Sequence, residues 1–274
     1  MNAPSPAPRS TSAALVERED TDGIAVVTLN RPAARNSLSM AMLQALSQTL
    51  AAIAGDQQVR AVILAANGPG FCAGHDLKEI TEHRSDPDGG HAYTVDLMNR
   101  CSAMMQSIHR MPQPVIAAVE GPASAAGCQL VATCDLAVAS TSASFATPGV
   151  NIGLFCSTPM VALSRNVTPK HAMEMLLTGD LVSADEAYRI GLVNRVVEPG
   201  AALSEAVSWA RRITAKSALV IKIGKQAFYR QRELSLDEAY RYANGVMVEN
   251  MMLRDANEGI SAFVEKRPPT WEDR

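Results

Sequence analysis

Short apolar segments in the first half of the chain have the length and composition of buried β-strands. They lie at residues 24–30, 60–66, 114–119 and 136–140. A further strand at residues 14–19 precedes them, and Thr21-Asp22-Gly23 predicts a hairpin turn between the first two. Helical patterns separate the later strands. The order of elements therefore predicts an α/β fold built from strand-helix-strand units.

Apolar residues at three- and four-residue spacing predict the helices. One helix follows Ser39, and a second at residues 95–111 has the stripe typical of a helix packed on a core. Further helix starts are predicted at Thr158-Pro159, at Thr168-Pro169 and at a capping box of Ser183 with Glu186. From residue 201 onward the pattern is almost wholly helical. The polar residues 81–93, with Asp86-Pro87-Asp88-Gly89-Gly90, predict a mobile loop that could cover a ligand.

Two turns of small residues follow two of the apolar strands. The first turn covers residues 71–79 after strand 60–66, and the second is Ser124-Ala125-Ala126-Gly127 after strand 114–119. Small residues at such junctions often serve close packing alone. Adjacent parallel strands, however, present their following turns at the same sheet edge, so one N–H from each turn could converge on a single oxygen atom. The pair of turns favours an oxyanion hole.

Length and composition indicate one large domain with a helical extension. With 274 residues, 47% of them hydrophobic, the chain can bury a full core. We expect a disordered tail at residues 1–12, a core at 13–200 and a helical region at 201–274. The tail lacks the apolar centre of a signal peptide, and Arg9 as its one basic residue disfavours a mitochondrial transit peptide.

The net charge and the cysteine content limit which binding partners and which cellular compartment are expected for the protein. The net charge of −3 gives no reason to expect nucleic acid, and no apolar run reaches the length of a membrane span. The five cysteines, an odd number without CxxC pairing, predict reduced thiols and a cytoplasmic location. No cluster of residues predicts a bound metal.

Several motifs in order resemble the enoyl-CoA hydratase/isomerase (crotonase) superfamily. Besides the two turns, they include Leu29-Asn30-Arg31-Pro32, Leu177-Thr178-Gly179-Asp180 and Glu258-Gly259-Ile260-Ser261-Ala262-Phe263. The segment FATPGVNIGLFCSTP, residues 145–159, is most similar to one branch of that superfamily. The resemblance covers nearly the whole chain. It implies a ClpP-like spiral of β-β-α units, and a helical C-terminal region that packs subunits into homotrimers or hexamers.

The resemblance also implies a substrate and two hydrogen-bond donors. The substrate would be an acyl-CoA thioester, so that coenzyme A is part of the substrate and no prosthetic group is expected. The backbone N–H groups of His75 and Ala126 match the superfamily's oxyanion donors. The His75 imidazole replaces a smaller side chain, and it either enters the site as a base or projects to solvent, which we consider the better interpretation.

The two glutamates that typical hydratases of this superfamily use for acid-base catalysis are both replaced. Gln129 stands at the first position and Gly149 at the second. An amide can hold a water molecule but cannot exchange a proton near neutral pH, and glycine can do neither. Efficient hydration by the standard mechanism is therefore not expected.

Residues at the start of the helix near Pro159 are the candidate replacements. Relatives with other chemistry place a polar group there, which nominates Cys156 and Ser157. The alternative is that Ser157 or Thr158 only caps the helix. Asn151 and Gln129 could orient a water molecule, and Asp76 matches a structural aspartate of the superfamily.

The resemblance nominates residues for binding coenzyme A. The matching positions are Arg35, Ala73, Leu77, Lys78, Phe263 and Lys266. Helix 220–231, with Lys222, Lys225 and Arg230, is a weaker candidate, and each basic residue could instead be an ordinary surface charge. Three functions remain open: an acyl-CoA enzyme with an altered acid-base set, a non-catalytic acyl-CoA binder, and a hydratase with an unexpected acid.

Overall fold

The computed structural model describes residues 14–274, so the tail predicted at residues 1–12 lies outside the described part. A six-stranded sheet has the order β1-β2-β3-β4-β6-β9, in which β1 is antiparallel to β2 and every other pair is parallel. A small second sheet has the order β5-β7-β8. The strands are β1 (Val16–Thr21), β2 (Ile24–Leu29), β3 (Ala61–Ala66), β4 (Val115–Val119), β5 (Ala123–Ser124), β6 (Leu136–Ser140), β7 (Ser144–Ala146), β8 (Val182–Ser183) and β9 (Arg195–Val197).

The described residues form helices on both sides of the large sheet and throughout the C-terminal region. They are α1 (Met40–Ala54), α2 (Leu77–Glu82), α3 (His91–Arg110), α4 (Ala126–Thr133), α5 (Pro159–Leu163), α6 (Pro169–Thr178), α7 (Ala184–Arg189), α8 (Ala202–Thr214), α9 (Ala218–Gln231), α10 (Leu236–Met251) and α11 (Arg254–Glu265). None of the helices in residues 14–274 is both long and apolar enough to cross a membrane.

The central strand β3 explains why helices cover both faces of the sheet. Successive side chains of a strand point to opposite faces. Val62 and Leu64 accordingly join the large core that contains α1, α3 and α4, whereas Ile63 joins a second cluster under α8. In that second cluster α8 presents alanines, which allow a close approach to the sheet: Ala202, Ala206 and Ala210. The first helix of the C-terminal region is thus part of the packing around the sheet.

The segment at residues 81–93 is mostly helical, so the prediction of a loop there is wrong. Helix α2 continues to Glu82, a 3-10 turn covers His83–Ser85, and α3 already begins at His91. The ring of His83 stacks on that of Tyr93 at a centroid distance of 3.8 Å, which ties the two helices together. The Pro and Gly residues interrupt the helical conformation only between Ser85 and His91.

Two predicted helix caps differ in detail from the structure. Ser183 accepts a hydrogen bond from the Glu186 N–H, but the Glu186 carboxylate binds Arg189 and so completes no capping box. A full capping box occurs instead at Ser235 with Glu238. At α5, neither Ser157 nor Thr158 caps the helix with its side chain, since the Ser157 hydroxyl donates to the Phe155 carbonyl.

Candidate active site

The first turn, residues 71–79, is held between two other segments of backbone. The Leu38 N–H donates to the Gly74 carbonyl at 2.7 Å, and the Ser124 N–H donates to the Cys72 carbonyl at 2.9 Å. Asp76 caps α2 and pairs with Arg31 at 2.6 Å, which lowers the pKa of its partly desolvated carboxyl. Asp76 thus has the structural role expected from the sequence, as the N-cap of α2 and the partner of Arg31.

The second turn, residues 124–127, contacts the first because both lack side-chain bulk. A Cβ atom placed on Gly127 would lie 2.0 Å from the Cys72 carbonyl oxygen, and one on Gly74 would lie 3.4 Å from the Ala126 nitrogen. Between them, Ala125 has φ 49° and ψ −115°, a conformation that L-residues rarely adopt. The backbones of the two turns are therefore pressed together, and this local geometry leaves no room for a side chain at position 127.

Several backbone N–H groups of these turns have no acceptor among residues 14–274, and those of His75 and Ala126 are among them. The His75 N–H and the Ala126 N–H both lack a backbone or side-chain partner, whereas the N–H groups of Gln129, Ser124 and Ala125 around them are paired. Ala126 is the first residue of α4, where free N–H groups carry partial positive charge. Unpaired donors on adjacent turns can bind one carbonyl oxygen and stabilise negative charge on it.

The His75 imidazole is largely buried, so the expectation that it projects to solvent is wrong. Neither ring nitrogen makes a hydrogen bond to the described residues, and both are shielded from solvent. Burial lowers the pKa of the ring, and a weaker contact with the Leu38 backbone opposes that shift. A neutral imidazole with a free nitrogen can accept a proton. The buried ring of His75 could therefore act as a general base in a site from which water is excluded.

Gln129 lies on α4 one turn after Ala126, and its side chain is buried. The residue is 6% exposed, and its Oε1 atom has no hydrogen-bond donor within residues 14–274. A buried amide oxygen without a partner costs about 1–3 kcal/mol. Such an oxygen is available to a water molecule or to a polar group of a ligand.

Sulfur rather than a carboxylate lies beside Gly149. The Gly149 N–H donates to the Cys156 Sγ at 3.3 Å, and a Cβ on Gly149 would lie 2.8 Å from the Leu154 carbonyl oxygen. Burial raises the pKa of the Cys156 thiol, and the Gly149 N–H opposes that shift. The thiol therefore stays protonated and is a poor nucleophile. All five cysteines are free and buried.

The other polar candidates near α5 lie on the surface of the single chain. Ser157 and Asn151 are both exposed, and the Ser157 hydroxyl is bound to the Phe155 carbonyl. Within residues 14–274 no group of three or more His, Cys, Asp or Glu residues is arranged to hold a metal ion.

Four of the residues nominated for coenzyme A lie together at the first turn. The Ala73 N–H donates to the Arg35 carbonyl at 3.0 Å, and Ala73, Leu77 and Lys78 are exposed along the turn and the start of α2. A cationic side chain and an open backbone surface lie side by side there. The arrangement suits a nucleotide with phosphate groups.

The remaining basic and C-terminal candidates are elsewhere in the chain. Phe263 is 85% exposed on α11, and the chain end beyond α11 is tied to Arg60 at the start of β3, the opposite end from the first turn. Lys225 is buried against Asp135 at 2.6 Å and donates to the Ile108 and Gln113 carbonyls. Its role is structural, which corrects its nomination for coenzyme A.

Two buried hydroxyl groups near the site were not singled out from the sequence. The Thr147 Oγ1 and the Tyr93 hydroxyl have no hydrogen-bond partner among the described residues. Thr147 directly precedes the 3-10 turn that carries Gly149, and burial and Glu79 raise the pKa of Tyr93 to about 12. Both stay protonated and can donate to a ligand. In the sequence, Thr147 could have been noticed because it precedes Pro148-Gly149, whereas nothing in the sequence pointed to Tyr93.

Comparison with known proteins identifies the family. The model of the family described as enoyl-CoA hydratase/isomerase matches residues 19–274. The human enoyl-CoA hydratase domain-containing protein 3, mitochondrial, is 47% identical over 264 residues, which are 96% of this chain and 84% of that protein. This is the branch indicated by residues 145–159, and that prediction is confirmed.

Solved structures show the same fold. A crystal structure titled enoyl-CoA hydratase from Mycobacterium smegmatis is 53% identical with a TM-score of 0.89, and covers 94% of this chain and 98% of its own. The crystal structure of human enoyl-CoA hydratase domain-containing protein 3 is 45% identical with a TM-score of 0.88, and covers 94% and 100%. The predicted crotonase fold with a helical C-terminal region is confirmed.

The comparisons overturn the predicted compartment. The relatives from human, rat, mouse, frog and zebrafish are all named mitochondrial, so the expectation of a cytoplasmic location is wrong. Reduced cysteines do not distinguish the cytosol from other reducing compartments, which is why the sequence argument failed. By its family match over most of its length, the chain belongs to the enoyl-CoA hydratase/isomerase family.

Proposed function

We propose that this protein is an acyl-CoA enzyme that polarises the thioester carbonyl with the N–H groups of His75 and Ala126. The observation that carries the proposal is that both donors lack an internal acceptor while the turns that bear them are in contact. When the carbonyl oxygen gains charge, each preorganised donor can contribute about 3 kcal/mol. The CoA nucleotide is bound near Arg35, Ala73, Leu77 and Lys78, and no prosthetic group is required.

The reaction is one that needs fewer acid-base groups than hydration. Gln129 and Gly149 supply no carboxyl group, and the loss of one general acid or base costs about 10²- to 10⁴-fold in rate. Isomerisation, thioester hydrolysis and decarboxylation each fit an oxyanion hole with a single base. The neutral, buried His75 imidazole is the base, and the Gln129 amide orients a water molecule or the substrate.

The protein acts as a homotrimer or as a hexamer of two trimers. Large apolar side chains are exposed on the last two helices of the single chain and in the turn between them, including Leu236, Phe263 and Met252 at 76%, 85% and 76%. Exposed apolar area on that scale is typical of surfaces that other subunits cover. Assembly would also bring Phe263 and Lys266 to a neighbouring subunit rather than to the site of their own chain.

A non-catalytic acyl-CoA binder is the second candidate function. It is favoured by the replacement of both glutamate positions, one by an amide and one by a glycine packed against sulfur. A hydratase with a different acid is the third. The binder predicts that no CoA ester is converted. The hydratase predicts that enoyl esters are hydrated and that a glutamate at position 129 changes this rate little.

The test is incubation of the purified protein with saturated, enoyl, 3-hydroxyacyl and malonyl-type CoA esters, followed by mass spectrometry of products and bound ligand. We expect one class of ester to be converted without hydration of the enoyl esters. Ester that stays bound without product would favour the binder. Enoyl hydration that Gln129→Glu leaves unchanged would favour the hydratase, and failure to bind any ester would contradict the whole proposal.

A further inference from the structure

A cavity of about 780 Å³ lies between α3, α4, α5 and α9. Its volume is in the range of small-molecule sites. Its inner part is lined by Gln129 and by apolar residues such as Met105, Ala132 and Ala162, all of which are buried. Gln129 is therefore a polar residue of an otherwise apolar inner lining, and its Oε1 atom has no hydrogen-bond partner among residues 14–274.

The cavity and the Ala126 donor share helix α4. Gln129 follows Ala126 by one turn of α4, and Thr133, which also lines the cavity, lies roughly 10 Å along the helix from Ala126 at 1.5 Å per residue. An acyl chain whose carbonyl is bound at the Ala126 N–H would enter the cavity by passing along α4 towards Thr133.

The outer rim of the cavity is strongly cationic. Four arginines line it, and Glu233 is the one acidic residue of the lining. The Arg165 Nε lies 3.6 Å from a Glu233 carboxylate oxygen, which offsets one of the four charges. The rim arginines are Arg110, Arg165, Arg230 and Arg232. Their excess of positive charge is arranged to meet an anion.

The wall between the apolar part and the rim is formed by two stacked rings. His109 and Tyr229 stack at a centroid distance of 4.0 Å, and the Tyr229 hydroxyl donates to Asp135. Burial lowers the pKa of His109, so its ring adds no charge to the cavity. The wall is held by the buried pair of Lys225 and Asp135 behind it, whose opposite charges offset each other. The free charge of the cavity is thus confined to the rim.

We propose that this cavity binds the far end of the acyl group and that the preferred substrate is an acyl-CoA whose chain ends in an anionic group such as a carboxylate. This inference rests on the proposed function, because it assumes that the thioester lies at the two turns. The apolar inner part receives the methylene groups of the chain, and the rim arginines bind the terminal anion. An acyl chain with a methyl end would leave the four guanidinium groups without a partner from the ligand.

The cationic rim could also receive the phosphate groups of coenzyme A itself, with the nucleotide entering from this side. Both sources supply an anion, and they differ in what the acyl chain contributes. A comparison of two esters of equal chain length, one ending in methyl and one in carboxylate, separates them. Free CoA serves as the third probe.

The experiment measures affinities of the three ligands by calorimetry for the full chain and for Arg165→Gln and Arg232→Gln. We expect the native protein to bind the carboxylate ester about tenfold more tightly than the methyl ester, which corresponds to one charge-assisted contact. Each variant should lose most of that preference and bind the methyl ester unchanged. Arg241→Gln on α10 is the matched control, because its side chain is 71% exposed and lies outside the cavity.

Three outcomes would overturn the inference. Equal affinities for the two esters in the native protein would show that the rim arginines do not bind the terminal group of the acyl chain. Equal losses for both esters and free CoA in the variants would place the phosphates at the rim. Absence of binding for every ester would contradict the proposed function as well, whereas the first two outcomes leave that function standing.

Discussion

The Gly127→Ala variant is expected to lose about 3 kcal/mol of unfolding free energy and to lose its affinity for CoA esters. The added methyl carbon would lie 2.0 Å from the carbonyl oxygen of Cys72 and 2.7 Å from its carbonyl carbon. Backbone cannot rotate away as a flexible side chain can, so the two turns have to separate. Separation would move the Ala126 N–H away from the His75 N–H. Chemical denaturation and ester calorimetry measure the two effects.

Gly245→Ala is the matched control for this variant. Gly245 lies inside α10, and a Cβ there would meet no atom within 4 Å. Alanine is favoured over glycine within a helix by about 0.5–1 kcal/mol, so the control should be slightly more stable than the native protein. A Gly127→Ala protein with native stability and native ester affinity would show that the close approach of the turns is unimportant.

The Lys225→Met variant is expected to be destabilised by about 3–5 kcal/mol, because it leaves the Asp135 carboxylate buried without its cation. The Lys225 side chain is 6% exposed, and its ammonium group donates to the Ile108 and Gln113 carbonyls and to the Asp135 carboxylate. Burial lowers the pKa of this lysine, and Asp135 opposes that shift. Denaturant unfolding of the variant measures the loss, which should be accompanied by loosening of α9.

A second substitution distinguishes an uncompensated charge from simple loss of packing. Adding Asp135→Asn to Lys225→Met removes the buried charge while keeping an oxygen that can accept from the Val115 N–H. We expect the double variant to be more stable than Lys225→Met alone. Lys222→Met, on the exposed side of the same helix, should change stability by less than about 0.5 kcal/mol. A double variant less stable than the single one would refute the explanation by charge.

The pairing of the two turns could be predicted from the sequence because its causes are local. Each turn follows an apolar strand, and parallel neighbours place such turns at one edge by geometry alone. The structure places β3 beside β4 and joins the turns through the bridge of Cys72 with Ala123. The same local logic located most of the strands and the helix after Ser39.

Features that depend on distant residues could not be predicted. Lys225 reads as an ordinary helix cation, and only its contact with Asp135, 90 residues earlier, buries it. The sequence pattern predicts an exposed turn residue at His75, yet its turn pairs with Leu38 and both ring nitrogens are shielded from solvent. The contact of Gly149 with Cys156 depends on how the intervening turn folds back. The prediction of a loop at residues 81–93 was wrong because it extended the effect of a short Pro and Gly segment to the helical residues on either side.

The central claim is that two backbone N–H groups polarise a bound thioester carbonyl. Its most direct test is the infrared carbonyl stretch of a saturated acyl-CoA labelled with carbon-13 at the thioester, measured with the protein in excess. Hydrogen bonds from His75 and Ala126 predict a shift of that band to lower wavenumber than in water, because the site replaces mobile water donors with fixed ones. A bound ester whose band lies at or above its position in water would contradict the account.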